Sequence, residues 1–350
     1  MMRKFFVTIA FAACMMSGAP LQAQNFDNAG DYMGYIGDAN NKLAGVYMAY
    51  LRATAHNKCA RKIEKRRMEV VNGIYETRVK IQTMPHWKGD RSYRDSTVAY
   101  YRLLEKVFNE QYAKIVNMEE IAEQSYDAME AYLLAKEKAM EKLDEANEVS
   151  QTAQAAFAAK NNVTIVTEET KLSKKHQVAG ELLKHHNELY LIFFKPYKEE
   201  MYLLENMNSN KPGKVVAIEQ NINAMGTAAE EGLVKLRSIN AFNNDASLVQ
   251  ASREALQFYK EEATAAKAFT DFFVQLEAFQ KAEKAFKAKP SGKLTKEEID
   301  TFNKQAKEMN EASKKFNAVN DQLNKQRSAM LDAYNKAVGK YMEKYMPKHK

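Results

Sequence analysis

The side chains best suited to chemistry are few. His176, His185 and His186 lie close together in the sequence, and His185-His186-Asn187-Glu188 sets an imidazole three residues before a carboxylate. On a helix that spacing puts both groups on one face, as a metal site requires. His185, His186 and Glu188 are therefore candidate ligands for a divalent metal or for haem, against the plainer reading of polar residues on a helix exterior. His56 and Cys59 share a ligand-like spacing, but Ala55, Cys59 and Ile63 follow the rhythm of a buried helix face. A structural zinc would also need four ligands, and no second Cys/His pair is present.

A second kind of chemistry is electrostatic. Lys58, Arg61, Lys62, Lys65, Arg66 and Arg67 are interrupted only by Glu64 among charged residues, with Arg52 upstream. On a helix Lys58, Arg61 or Lys62, and Lys65 line one side, giving a directional positive field. Such a field suits an anionic envelope polymer: lipopolysaccharide, cell-wall glycan or phospholipid headgroups. The alternative is pairing within the chain, with Glu119, Glu120, Glu123, Asp127 and Glu130.

Catalytic signatures are missing. The sequence contains no Gly-x-Ser-x-Gly elbow, phosphate loop, dinucleotide fingerprint or His-Glu-x-x-His. A ferritin-like di-iron centre needs two Glu-x-x-His runs, and there are none. The expectation is a non-enzymatic protein acting through interaction or structural contacts, with metal or haem handling at the His-x-x-Glu pattern as the alternative. The formal charge of +7 is spread over 350 residues, too mild an excess for a dedicated nucleic-acid binder. Expected partners are an envelope protein or an anionic envelope polymer. Peripheral membrane contact and homo-oligomerisation are compatible with this reading.

The elements that must carry these residues are helices. The chain has 13 Gly and 6 Pro, where average usage of about 7% and 5% would give roughly 40. Sandwiches, barrels and doubly wound sheets need such residues at their many turns. With 45% apolar residues, 17 Phe and 18 Tyr, disorder is equally out of place. The fold class is all-α, an elongated bundle of long antiparallel helices.

Breakers divide it. One helical stretch runs from near Asp38 to Pro85 and Gly89, and Ser92 with Asp95 caps the next. Apolar residues then keep a three-and-four spacing from Tyr101 to Leu143 without Gly or Pro, predicting one helix over 93–159, a rod of about 100 Å. A helix containing Pro196 follows, then a loop at 208–213, a shorter helix to near Asn240, and a helix from Asn243-Asn244-Asp245 to about Lys289. Thr295 and Glu298 form a capping box for the last, which reaches about Tyr345. Trp87-Lys88-Gly89-Asp90-Arg91-Ser92 and Phe242-Asn243-Asn244-Asp245-Ala246-Ser247 both place an aromatic three before Asp and five before Ser. The echo allows two tandem bundle halves, 24–162 and 163–350; two ordinary helix caps are the alternative.

The N-terminus reads as an export signal, residues 1–23: Arg3 and Lys4, an apolar run from Phe5 to Met16, then Leu21-Gln22-Ala23 ahead of Gln24. Cleavage there removes two cations, leaving +5, and leaves Cys59 as the sole thiol. A rival route makes Phe11-Ala12-Ala13-Cys14 a lipobox, with Cys14 lipidated. No later run is long enough for a membrane span. The expected location is the periplasm or the outer cell surface.

Two resemblances add to this. The His-x-x-Glu run resembles the Gly-x-His-x-x-Glu motif of imelysin-like envelope proteins, an all-helical family linked to metal or haem uptake, although Leu183 stands where the motif has Gly. Ala55-His56 with Ala60-Arg61-Lys62-Ile63-Glu64-Lys65-Arg66-Arg67, then Arg94-Asp95-Ser96-Thr97, Met118 through Asp127, and Ala158 through Asn162 resemble an uncharacterised family of exported helical surface proteins of Gram-negative bacteria. That resemblance implies an envelope location and no activity.

Overall fold

A computed structural model describes residues 25–55, 60–111, 124–165, 171–209 and 213–348. The signal, Cys14, His56, Lys58, Cys59, Glu119, Glu120 and Glu123 lie outside them. The described residues form nine α-helices: α1 (Ala29–Ala55), α2 (Ala60–Gln82), α3 (Ser92–Lys106), α4 (Tyr126–Lys160), α5 (Lys171–Asn208), α6 (Lys214–Lys235), α7 (Ser247–Ala265), α8 (Lys267–Ala288) and α9 (Lys296–Tyr345). The chain is all-α, and among the described residues extended pairing is confined to two isolated bridges.

The expected 93–159 rod is replaced by a hairpin. α3 runs into a π turn at Val107–Gln111, and α4 starts afresh behind Ser125, whose Oγ accepts the Ala128 N–H at 3.1 Å. The Tyr93 and Phe157 rings are 5.5 Å apart, whereas one straight helix would separate them by about 100 Å. Periodicity cannot see such a reversal, because both arms of a hairpin turn the same apolar stripe inward. A serine cap also ends a helix without Gly or Pro.

The stretch ending at Pro85 folds back in the same way. Tyr32 of α1 donates its hydroxyl to the Pro85 carbonyl at 3.1 Å, and Lys80 of α2 lies over the Tyr35 ring at 4.1 Å. Midway, a Cβ on Gly73 would come within 3.0 Å of Leu43, so glycine permits the close approach of α1 and α2. The helix expected to reach Lys289 breaks at buried Ala266, between α7 and α8. Two expectations hold in detail: Pro196 lies inside α5, and Thr295 and Glu298 form the capping box of α9.

α1 to α4 pack into one bundle, and α5 to α7 with α9 into another. α5 joins them. Its first turns lie on α1, with the His176 Nε2 3.0 Å from the Ala44 carbonyl oxygen. Further along, Lys195 covers the Tyr126 ring at 5.6 Å and the Tyr202 hydroxyl donates to the Gln124 carbonyl at 2.6 Å. At the end of α1, Arg52 Nη1 donates to the Pro347 carbonyl at 3.1 Å, bringing the C-terminus of α9 to that point. The second bundle thus begins where α1 ends. One large buried cluster crosses this joint, running from Tyr32 and Met48 to Leu182, Leu248 and Met342. A second cluster around Phe193, Tyr259 and Tyr334 fills the other bundle. Beyond it α8 and the start of α9 form a thin arm, where Phe302 stacks on Phe279 and Phe286 at 5.6 and 4.2 Å.

The α3/α4 hairpin is directly testable. Lys160 holds Asp90 at 2.8 Å, so a short amine-reactive cross-linker applied to the intact protein joins Lys88 to Lys160 in peptide maps. A continuous rod would never yield that cross-link.

Candidate functional site

The aromatic-x-x-Asp-x-Ser echo is the same structure twice. In both copies the aromatic and the Asp form an antiparallel bridge, Trp87 with Asp90 and Phe242 with Asp245. The two residues between take positive φ: 48° and 84° at Lys88 and Gly89, 51° and 58° at Asn243 and Asn244. Such a tight two-residue turn favours Gly and Asn, which three of the four positions supply. The turn aims the Asp carboxylate at the helix start. Ser92 donates its N–H and hydroxyl to Asp90 Oδ1 at 2.9 and 2.7 Å, and the Ser247 N–H donates to Asp245 at 2.9 Å. Asp90, not Ser92, is therefore the side chain that satisfies the start of α3.

Each carboxylate then meets a lysine from the end of its bundle's last helix, Lys160 on Asp90 at 2.8 Å and Lys344 on Asp245 at 2.7 Å. Lys160, followed by the two Ser92 bonds, holds the Asp90 carboxyl down at about 2. Lys344, with Ser247 and Tyr345, holds Asp245 still lower. Under each turn the aromatic is packed from the bundle's first helix. Tyr32 lies 5.8 Å from Trp87 and stacks on Phe157 at 5.5 Å.

His185 takes the matching place in the second bundle. It stacks on Phe242 at 6.0 Å and lies 6.2 Å from Tyr341. Where the Tyr32 hydroxyl reaches a carbonyl, the His185 Nε2 is buried without a partner. Desolvation lowers the His185 pKa, opposed by the charge of Glu188. His186 points elsewhere and stacks on Tyr190 at 6.0 Å, while Glu188 is exposed. The structure does not bring His185, His186 and Glu188 into one ligand set. Among the described residues no group of three His, Cys, Asp or Glu side chains could hold a metal ion.

The basic segment is divided in use. Arg67 is only 8% exposed and donates to Glu64 at 2.7 and 2.8 Å and to the Phe108 carbonyl at 3.0 Å. Arg66 pairs with Glu69 at 2.6 Å. Both glutamates lie within one turn of their arginines on α2; Glu119, Glu120 and Glu123 of the expected acidic stretch lie outside the described residues. Lys62 and Lys65 are exposed. Arg61 belongs to α2, and Lys58 lies outside the described residues.

Sequence reasoning missed the most heavily buried cluster of charges among the described residues. Arg327 of α9 donates to Glu200 of α5 and Glu262 of α7, and all three are buried. Burial, then the neighbouring Glu200 charge, pushes the Glu262 carboxyl up to about 8. The second oxygens of both glutamates and the Tyr259 hydroxyl are buried without hydrogen-bond partners. One guanidinium facing two carboxylates leaves a net negative charge that a proton on Glu262 removes. The available signal was the seven-residue spacing of Ala306, Ser313, Asn320, Arg327, Tyr334 and Tyr341, which sets an arginine in line with buried Tyr334 and Tyr341.

No protein family, curated protein or solved structure matches the chain. Its surfaces and buried groups must speak from their own geometry.

The buried triad makes stability depend on pH. Glu262 keeps its proton to about pH 8 when folded and releases it near 4.5 when unfolded, so the folded state binds more protons between those values. Thermal stability should fall as pH rises from about 4.5 to about 8 and then level off. Glu262→Gln should flatten that slope, as thermal melts across the range will reveal. Arg327→Ala strands the carboxylates and should cost about 3–5 kcal/mol in denaturant unfolding.

Proposed function

We propose that this chain is an exported bacterial cell-envelope protein, periplasmic or at the outer surface, that works through surface contacts and not catalysis. The observation supporting this reading most is the arrangement of the two bundles along α5. Packed interiors extend from Tyr32 past the joint to Leu248 and Met342, and around Phe193 and Tyr259. Helix exteriors, the α8/α9 arm and the joint are then what the molecule offers to others. The matched turns at Trp87 and Phe242 support two bundle halves, 24–162 and 163–350, as its organisation. No helix among the described residues is long and apolar enough to cross a membrane; association with an envelope protein, an anionic envelope polymer or a second copy is by contact.

The experiment is cell fractionation with surface protease shaving, plus mass spectrometry of the mature N-terminus. The expected product begins at Gln24 in the envelope fraction. An acylated Cys14 would replace that with a lipid anchor, and a full-length cytosolic chain would overturn the reading. Metal analysis and an absorbance scan of the same material should give neither stoichiometric metal nor a Soret band. Either signal would favour the metal- or haem-handling alternative at His185, His186 and Glu188.

A further inference from the structure

The middle of α9 is held to the second bundle by few side chains. Between Met309 and Tyr334, a span of about 38 Å at 1.5 Å per residue, Leu323 and Arg327 are the buried residues. Phe316, Val319, Met330 and Leu331 are only partly covered. The Arg327 guanidinium is therefore a principal fixed point of this stretch. It donates to Glu200 of α5, to Glu262 of α7 and, at 2.5 Å, to Asn324 of its own helix.

One guanidinium balances one of the two carboxylates. The Glu262 carboxyl lies within hydrogen-bonding reach of that of Glu200. One oxygen of each, together with the hydroxyl of fully buried Tyr259, lacks a partner among the described residues. Tyr259 feels the charge of both glutamates, so its hydroxyl belongs to the same cluster. These three oxygens have almost no surface that a water could touch. A metal ion is larger than that space and would be repelled by the guanidinium. A proton needs no room, cancels the surplus charge and turns one carboxylate into a donor. Burial, then the Glu200 charge, favours that proton on Glu262.

The charges acting most strongly on Glu262 are Glu200 from α5 and Arg327 from α9. Tyr197 of α5 adds a further phenol beside Tyr259. α6 and α8 contribute apolar side chains to this interior, Met225 and Phe269 among them.

We propose that Glu262 is a proton-operated latch on α9: with its proton in place the helix is clamped to α5 and α7 at Arg327, and release of that proton to solvent lets residues 310–333 open while the rest of the fold stays closed. Opening admits water to both carboxylates, which a buried pair with one guanidinium requires once both are charged. The ends of α9 remain tied, by Phe302 on Phe286 at 4.2 Å in the arm and by Lys344 on Asp245 at 2.7 Å near the joint. The latch thus loosens the base of the α8/α9 arm without detaching it.

Hydrogen exchange read by mass spectrometry tests this on the intact protein. After correction for the intrinsic effect of pH, protection of amides in 312–333 should fall about tenfold per unit between pH 6 and pH 8, because opening there releases one proton. Peptides from α2 and α6 should not change. Glu262→Gln keeps a neutral donor in place and should abolish the slope, while Asp321→Asn, at an exposed position of the same stretch, should leave it intact. Glu200→Gln should also flatten it, since Arg327 then faces a single carboxylate that needs no proton. That second variant carries the test if circular dichroism shows Glu262→Gln unfolded. Absence of the slope from α9 overturns the proposal. So does an equal slope in α6, the mark of global unfolding, or a slope that survives in both glutamine variants.

Discussion

Each bundle is closed by one carboxylate that serves two helices at once. Asp90 satisfies the start of α3 and grips Lys160 at the end of α4; Asp245 does the same for α7 and α9 through Lys344. A helix start needs acceptors for its free N–H groups, and the last helix of a bundle needs a fixed ending. The aromatic three residues before each Asp seals the turn over the core, Trp87 on Tyr32 and Phe242 on His185. With helix ends defined in this way, the long runs between them need few glycines or prolines.

The two copies are not chemically equal. Tyr32 ends in a hydroxyl that finds the Pro85 carbonyl, while the shorter His185 leaves a ring nitrogen unpaired. The second bundle also holds the Arg327 triad, where the first has aromatic and aliphatic packing. A buried ion pair rarely adds net stability over well-packed apolar groups, because desolvating the charges offsets their attraction. Its lasting effect is to make one registry of α5, α7 and α9 far better than its neighbours, since shifting any helix leaves a buried charge without its partner. The second bundle is therefore tied to pH through its centre.

Legibility varied by residue. The Thr295 and Glu298 capping box, Pro196 inside its helix and the shared spacing of Trp87–Ser92 and Phe242–Ser247 were readable, because caps and tight turns are local chemistry in which a few side chains settle the backbone. The hairpin between α3 and α4 was not readable, since the stripe that includes Tyr101 and Leu143 has the same period whether the chain continues or doubles back. The break at Ala266 has no local marker, because it is buried contact that bends the chain there. The candidate ligands fared as the helix dictated: neighbouring residues point about 100° apart, which separates His185 from His186. The basic segment looked uniform in sequence, yet Glu64 and Glu69 each take an arginine and leave Lys62 and Lys65 outside.

The sequence by itself determined that this protein is helical, how its last helix is capped, and that two segments share one aromatic-x-x-Asp-x-Ser spacing. These depend on propensity and on hydrogen bonds within a few residues. Only the tertiary structure decided how the helices fold back, that α5 carries one bundle onto the end of the other, that Arg327 lies between two glutamates, and that Arg52 at the end of α1 receives the C-terminus. Those outcomes depend on contacts between residues as many as 295 positions apart, where burial selects the partner and local sequence carries no record of it.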